Sequence, residues 1–503
     1  MVSFTTATSA LVLLASTVNA SFETIANYGP ASQVTDHNAI DLDQEEMELQ
    51  LALGNDEAYA NALKIYSEGA YSKSTAKVTL SAAIGSAISK GTAVTGKNAA
   101  GNQVIGKTYE DYASGATDIL VQYQTTDSQK NYVDCQVGAS LTPNTVGCFA
   151  ASGSMAIDGV GDATYTYDPL TDNINKRSIQ GFSTAAKKKM AECENCPYKM
   201  YQKFYDYYGQ YDYANQITLA AMSGQKTNFD NFDMDMGLYG FDGRTQMIKK
   251  GTAYMTIWMY VIREMEDALD DCKEACTIED CNDDPVHAWD EGVAFYTGSL
   301  EGSDGSGSGK LAYALADKRC ANFKTCGDMG DSSTGGSHVN IEIFKQFSIG
   351  QSKLMQGQCA SAREQKVNIE NLMLVPLIQG SLRYAWKMEN EDYSEKAEAE
   401  GAIFAAAVLP VVHACDAGAA QTIADNVKVG NQGSGNFAAV KTAFESTYEC
   451  MGVNGDHVGG LYDTASASYY AGAEPMGGSG AGKISMTFAA AGVAALTSLF
   501  MLV

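Results

Sequence analysis

RTQMIKKGTAYMTIWMYVIREMEDALDD, residues 244–271, decides the fold class. Met247, Gly251, Tyr254, Met255, Trp258, Val261, Ile262, Met265 and Leu269 recur at intervals of three and four, the signature of one buried helical face. Its acidic end leads into Cys272–Asp284, a cysteine-bearing turn closed by Pro285. Downstream, Lys310–Phe323, His338–Gln356, Arg363–Glu389 and Phe437–Cys450 read as helices. Arg363–Glu389 carries a kink at Pro376, and a helix over Ser394–Ala414 carries one at Pro410. Upstream, Glu45–Gly69, Thr108–Tyr123 and Phe182–Gly209 also read as helical. Gly91–Gly106 is Gly/Asn-rich and reads as a loop, and Leu141–Ser154 and Gly159–Asp172 as irregular chain with short strands.

A local pattern recurs. GAYSKSTAKVTLSAA, Gly69–Ala83, matches GQYDYANQITLAA, Gly209–Ala221, with a weaker copy in Glu391–Tyr393 and Gly401–Ala407. FAASGSMAID, Phe149–Asp158, echoes FYTGSLEGSD, Phe295–Asp304. The expected architecture is therefore mostly α: duplicated helical bundles stapled by disulfides, with a two-lobed α/β fold as the alternative. The units are a degenerate first copy over 21–197 and a second over 198–453, then a Gly/Ser/Tyr linker over 454–483.

The chain has 503 residues and a net charge of −26, with 45% hydrophobic and 19% charged residues. That composition fits a folded core, and the charge repels phosphate backbones, which argues against nucleic acid as a partner. Residues 1–20 read as a secretory signal, with Val18-Asn19-Ala20 before the cut. Residues 484–503 are an apolar run, either a membrane anchor or a glycolipid-anchor signal. Both place the folded part on the extracellular face of the plasma membrane. The twelve cysteines fit an oxidising compartment. Cys193/Cys196 and Cys272/Cys276/Cys281 have zinc binding as a weaker alternative.

The chemistry concentrates in PVHAWDEGVAFYTGSLEG, Pro285–Gly302. If His287 opens a helix, Asp290 and Glu291 fall at i+3 and i+4 on its face, and imidazole with carboxylate can hold a metal ion. Tyr296 lies nine residues on, where the following glycines allow the helix to end. The plain alternative is a polar helix end with a solvated face. Tyr198–Asn215 carries seven tyrosines with Asp206 and Asp212. Tyrosine at helical spacing is usually packing material with a polar tip, yet phenolate is also a hard oxygen ligand. The candidate metal ligands are His287, Asp290, Glu291 and Tyr296, joined by Asp212 and Tyr213 or by Asp392 and Tyr393 from another helix. Lys318, Arg319 and Arg383 are candidate anion-binding residues, with surface ion pairs as their ordinary role. His413 reads as a core histidine. The motifs HExxH and GxSxG are absent, and no catalytic residue or enzyme activity is expected.

HAWDEGVAFYTGSLEG (His287–Gly302), KLAYALADKRCANF (Lys310–Phe323) and LMLVPLIQGSLRYAW (Leu372–Trp386) together resemble the algal low-iron-inducible periplasmic iron-assimilation proteins, whose diatom members are phytotransferrins. The resemblance covers roughly Tyr198 to Cys450. It implies a cell-surface protein of high-affinity uptake that binds ferric iron with carbonate as a synergistic anion, followed by internalisation. Endocytic or reductase partners would then follow. It carries no ligand list onto this chain. The reading from a different class is a surface adhesion or wall-associated structural protein with no metal ligand.

Overall fold

The structure, a computed structural model, describes residues 22–71, 74–123, 135, 140–175, 177–273, 285–391, 393–432 and 434–477. The expected leader 1–20, the apolar run 484–503, most of Cys272–Asp284 and Asp392 lie outside the described residues. The chain opens as a strap over residues 22–34, then forms α1 (Thr35–Asn38), α2 (Ile40–Leu51) and α3 (Asp56–Glu68). The expected helix over Glu45–Gly69 is thus split: Gly54 turns with a positive φ of 62°, and Asn55 caps α3 by accepting from the Ala58 N–H.

Seven antiparallel strands follow. They are β1 (Ser74–Leu80), β2 (Ala93–Lys97), β3 (Gln103–Thr108), β4 (Asp118–Tyr123), β5 (Ser152–Ile157), β6 (Gly161–Thr166) and β7 (Asn173–Asn175). The order is β4-β3-β2-β5-β6-β1-β7, and a β1–β4 pairing closes the sheet into a barrel. Val78, Val94, Val104, Ile119, Val121, Met155 and Phe149 fill its own core.

This barrel replaces the helical first unit expected from the sequence. The Thr108–Tyr123 stretch ends in a strand, not a helix: Ile119, Val121 and Tyr123 are buried in strict alternation, a period of two. Gly91–Gly106 is a hairpin, not a loop. A Cβ on Gly106 would meet Val121 Cγ1 at 2.6 Å, and one on Gly96 would meet the Phe149 ring at 2.9 Å. Those glycines allow close approach within the sheet. The matched repeat does not describe a duplicated unit either: Ser74–Leu80 is a strand and its counterpart Tyr213–Ser223 is a helix.

The rest is a helical body. Its first members are α4 (Ile179–Thr184), α5 (Lys199–Tyr208), α6 (Tyr213–Ser223) and α7 (Phe241–Gly251). A π turn over Thr252–Ile257 joins α7 to α8 (Trp258–Asp271). Then come α9 (Val286–Thr297), α10 (Ala312–Phe323), α11 (His338–Met355) and α12 (Cys359–Asn390), which runs on past Pro376. The last long elements are α13 (Glu395–Ala406), α14 (Leu409–Cys415), α15 (Ala417–Val427) and α16 (Phe437–Glu445). Helix α9 packs along α8, and the expected helix over Ser394–Ala414 is broken into α13 and α14, bent by 48°. His413 is exposed at the end of α14 against Tyr207, not in a core.

Disulfides join Cys135–Cys148, Cys193–Cys196, Cys272–Cys359, Cys320–Cys326 and Cys415–Cys450, so Cys193 and Cys196 are not zinc ligands here. Cys272–Cys359 ties the end of α8 to the start of α12. Among the described residues no single helix is long and apolar enough to cross a membrane.

Two buried carboxylates fasten the N-terminal segment. Asp41 accepts from Ser299 Oγ and the Leu300 N–H, each at 2.7 Å, just past α9. Asp43 Oδ1 accepts from the Ala70 and Tyr71 N–H groups, each at 2.9 Å, while its Oδ2 is buried without a hydrogen-bond partner among the described residues. Burial raises the Asp43 pKa to about 7. A carboxyl whose folded pKa is raised stabilises the fold below its unfolded pKa of about 3.9, and that contribution is lost as pH rises through 7. Asp43→Asn keeps an acceptor without the charge. It should match the wild type near pH 4 and be more stable at pH 8, by on the order of 2–4 kcal/mol, in chemical denaturation at the two pH values.

Candidate metal centre

Helix α9 carries the Pro285–Gly302 motif, with Gly298 ending it at a φ of 86°. At about 100° per residue, Asp290 and Glu291 flank His287 on opposite sides, roughly 100° apart from each other. The helix therefore presents them to different neighbours. Asp290 faces the strap and α11. It accepts from Tyr28 Oη (2.5 Å), the Ala31 N–H (2.8 Å), the Ser32 N–H (2.9 Å), Ser32 Oγ (2.8 Å) and Gln351 Nε2 (2.9 Å). The side chain is fully buried and surrounded by donors.

Those bonds bring α1 against α9, and α1 supplies the residue that sequence reasoning missed. His37 Nε2 lies 2.6 Å from Glu291 Oε1, and His287 Nε2 lies 3.1 Å from the same oxygen. One ligand atom from each of His37, His287 and Glu291 falls within 4.8 Å of the others. The His37 side chain is 3% exposed and that of Glu291 15%, so the cluster is shielded yet reachable.

The surrounding bonds orient both imidazoles. Ser32 Oγ gives its one proton to Asp290, so it accepts from His287 Nδ1–H at 3.1 Å, and Nε2 is the nitrogen turned to Glu291, open to a metal once its proton is displaced. Asp36 Oδ1 stands 2.9 Å from His37 Nδ1, at ion-pair distance. A carboxylate beside one ring nitrogen, with the opposite nitrogen turned to the cluster, is an arrangement found in metal-binding histidines, and here Nδ1 makes no hydrogen bond among the described residues. The Arg177 guanidinium touches His37 Nε2 and lies 3.3 Å from Asp36 Oδ2. At that nitrogen the guanidinium requires a lone pair and Glu291 requires a positive charge. A cation among the three ligands would meet the demand of Glu291 in place of imidazole protons, and the guanidinium, losing that lone pair, would turn to another acceptor.

Burial disfavours the Glu291 carboxylate, but the charges and hydrogen bonds of His37 and His287 outweigh it and hold its pKa well below the ordinary value. Burial likewise disfavours charged His287, and Glu291 outweighs that, raising its pKa.

Glu291, alone of the three, lines a cleft of about 580 Å³ between the barrel and the helical body, with Arg177 beside it. Tyr109 and Gln122 come from the barrel side, and Arg177, Lys189, Arg263 and Glu264 from the helical side. Burial and then Glu291 push the Glu264 pKa up to about 8.

The other expected ligands sit elsewhere. Tyr296 is buried and donates to Asn340 Oδ1 at 2.6 Å. Asp212 accepts from Asn215 Nδ2 and Gln216 Nε2, both at 2.8 Å, at the start of α6. Tyr213 is buried between Phe204 and Tyr208, with ring centroids 5.3 and 5.1 Å away. Tyr393 is 54% exposed, and its neighbour Asp392 lies outside the described residues. Lys318, Arg319 and Arg383 interact with one another near Glu400 and do not line the cleft. Arg319 is buried over the Tyr384 and Phe404 rings, at 5.8 and 5.7 Å. His37 has a faint signal in the sequence: it is one of only five histidines and follows an aspartate.

Compared with protein-family models, with curated proteins and with solved structures, the chain matches none.

The geometry makes Asp290 an anchor. Asp290→Ala strands several buried donors and should cost about 2–4 kcal/mol in urea unfolding. A variant that weakened metal binding at unchanged stability would instead mark Asp290 as a ligand.

Proposed function

We propose that this protein binds ferric iron at the cell surface for high-affinity uptake, with His37, His287 and Glu291 as ligands from the protein. The observation that supports it best is the convergence of two imidazole nitrogens on one carboxylate oxygen at 2.6 and 3.1 Å. Two histidines and a carboxylate leave coordination positions open, a set suited to iron among other transition metals. The choice of iron follows the resemblance of the Pro285–Gly302, Lys310–Phe323 and Leu372–Trp386 stretches to the iron-assimilation proteins. Carbonate is the anion that the resemblance implies, and Arg177, beside His37, would hold it by charge-assisted hydrogen bonds. The secretory leader, the apolar C-terminal run and the disulfides support an extracellular, anchored location. Internalisation of the loaded protein would complete uptake, and no catalytic step is assigned.

Equilibrium dialysis with ferric iron and bicarbonate tests the ligands. His37→Ala should lower affinity at least about 100-fold, since losing an outer-shell partner alone costs about 10–100-fold. Tyr213→Phe and Tyr393→Phe should leave it unchanged. Loss of binding in the tyrosine variants but not in His37→Ala would move the site to the phenolates.

The anion has its own test. Bicarbonate should raise iron affinity in the wild type and have little effect in Arg177→Gln. An equal response in both proteins would remove Arg177 from the anion's surroundings.

A further inference from the structure

The cleft beside the ligands is much larger than an ion and carbonate require. Its volume is about 580 Å³, whereas a water molecule occupies about 30 Å³ of liquid. An anion of four heavy atoms leaves most of it unfilled, and cavities of this size ordinarily hold organic molecules.

The walls define which kind. One is flat and apolar: the Phe182 and Tyr260 rings stack with centroids 3.9 Å apart and planes 7° apart, and Phe295 meets them edge-on at 5.0 and 5.6 Å. The other is cationic. Lys189 Nζ and Arg263 Cζ lie 5.3 and 5.6 Å from the Tyr260 ring centroid. Arg263 is paired with Glu264 and Asp267. Lys189 donates to Tyr260 Oη at 2.6 Å and makes no ion pair among the described residues. Burial and then Arg263 lower its pKa, so its ammonium is held where an anion would relieve it.

Charge and coordination narrow the ligand further. A ferric ion brings three positive charges to a single ligand carboxylate, which favours a multiply charged anion. A chelator that saturates the metal would leave no position for His37, His287 and Glu291. A small polycarboxylate leaves positions open and has a carboxylate to spare.

We propose that the cleft takes the metal as a chelate with a small organic polycarboxylate of citrate's size, the metal on His37, His287 and Glu291 and a spare carboxylate on Lys189. This rests on the metal-binding reading above and adds the form in which the metal arrives. Carbonate fills the open positions when no chelator is present.

Dialysis of the whole protein against ferric citrate, with distinguishable radiolabels on iron and citrate, provides the test. Both labels should be retained in comparable amounts, and citrate without iron should not be. Lys189→Gln should lower the ratio of citrate to iron about ten-fold or more, the loss of one charge-assisted hydrogen bond, and Lys189→Arg should restore most of it. Iron retained without citrate, citrate retained equally without iron, or an unchanged ratio in Lys189→Gln overturns the chelate and leaves the metal site standing. Retention of neither label overturns the metal site and the chelate together.

Discussion

The Asp290 carboxylate holds this site together. Its five hydrogen bonds reach the strap through Tyr28, Ala31 and Ser32, and α11 through Gln351. A carboxylate buried this completely is costly unless donors surround it, and here they do. The bonds fix residues 28–32 against α9, and the next turns of chain carry Asp36 and His37 onto the face that holds His287 and Glu291. Asp41 fastens α2 to the chain just past α9, and Asp43 fastens it to the start of the barrel. A segment with little apolar pattern of its own is thus positioned by buried acids.

The same bonds set proton positions. Asp290 accepts from the Ser32 hydroxyl, Ser32 accepts from His287 Nδ1, and Nε2 is left facing the cluster. Asp36 Oδ1 stands 2.9 Å from His37 Nδ1. Glu291 Oε1 is shared by both imidazoles, and Arg177 crowds the nitrogen nearer to it. A carboxylate shared by two imidazoles in a shielded place needs positive charge beside it, from imidazole protons or from a metal. The proposed ferric ion meets that need, and the cationic cleft wall then meets the ion's own need for an anion.

The Arg244–Asp271 helix and most downstream helices were legible in the sequence because each buries one stripe of apolar residues against a large core. The barrel was not. Its strands are short and rich in Ala, Thr and Gly, and Gly96 and Gly106, which permit close packing, look like loop residues in a linear reading. Within the site, His287 and Glu291 are four residues apart and visible as a pair, whereas His37 comes from 250 positions upstream and meets them only through the strap. Asp290 shares the motif but turns the other way, because consecutive helical residues diverge by about 100°. The tyrosines of Tyr198–Tyr213 divide between stacking and hydrogen bonding, the ordinary use of phenols in a core.

The account turns on where the metal sits. Anomalous diffraction at the iron edge, from crystals soaked with ferric iron, addresses that directly. A single strong peak between His37, His287 and Glu291, on the side open to the cleft, is the predicted result. A peak at Tyr213, Tyr296 or Tyr393, or none in a crystal whose protein retains iron in solution, would contradict the account.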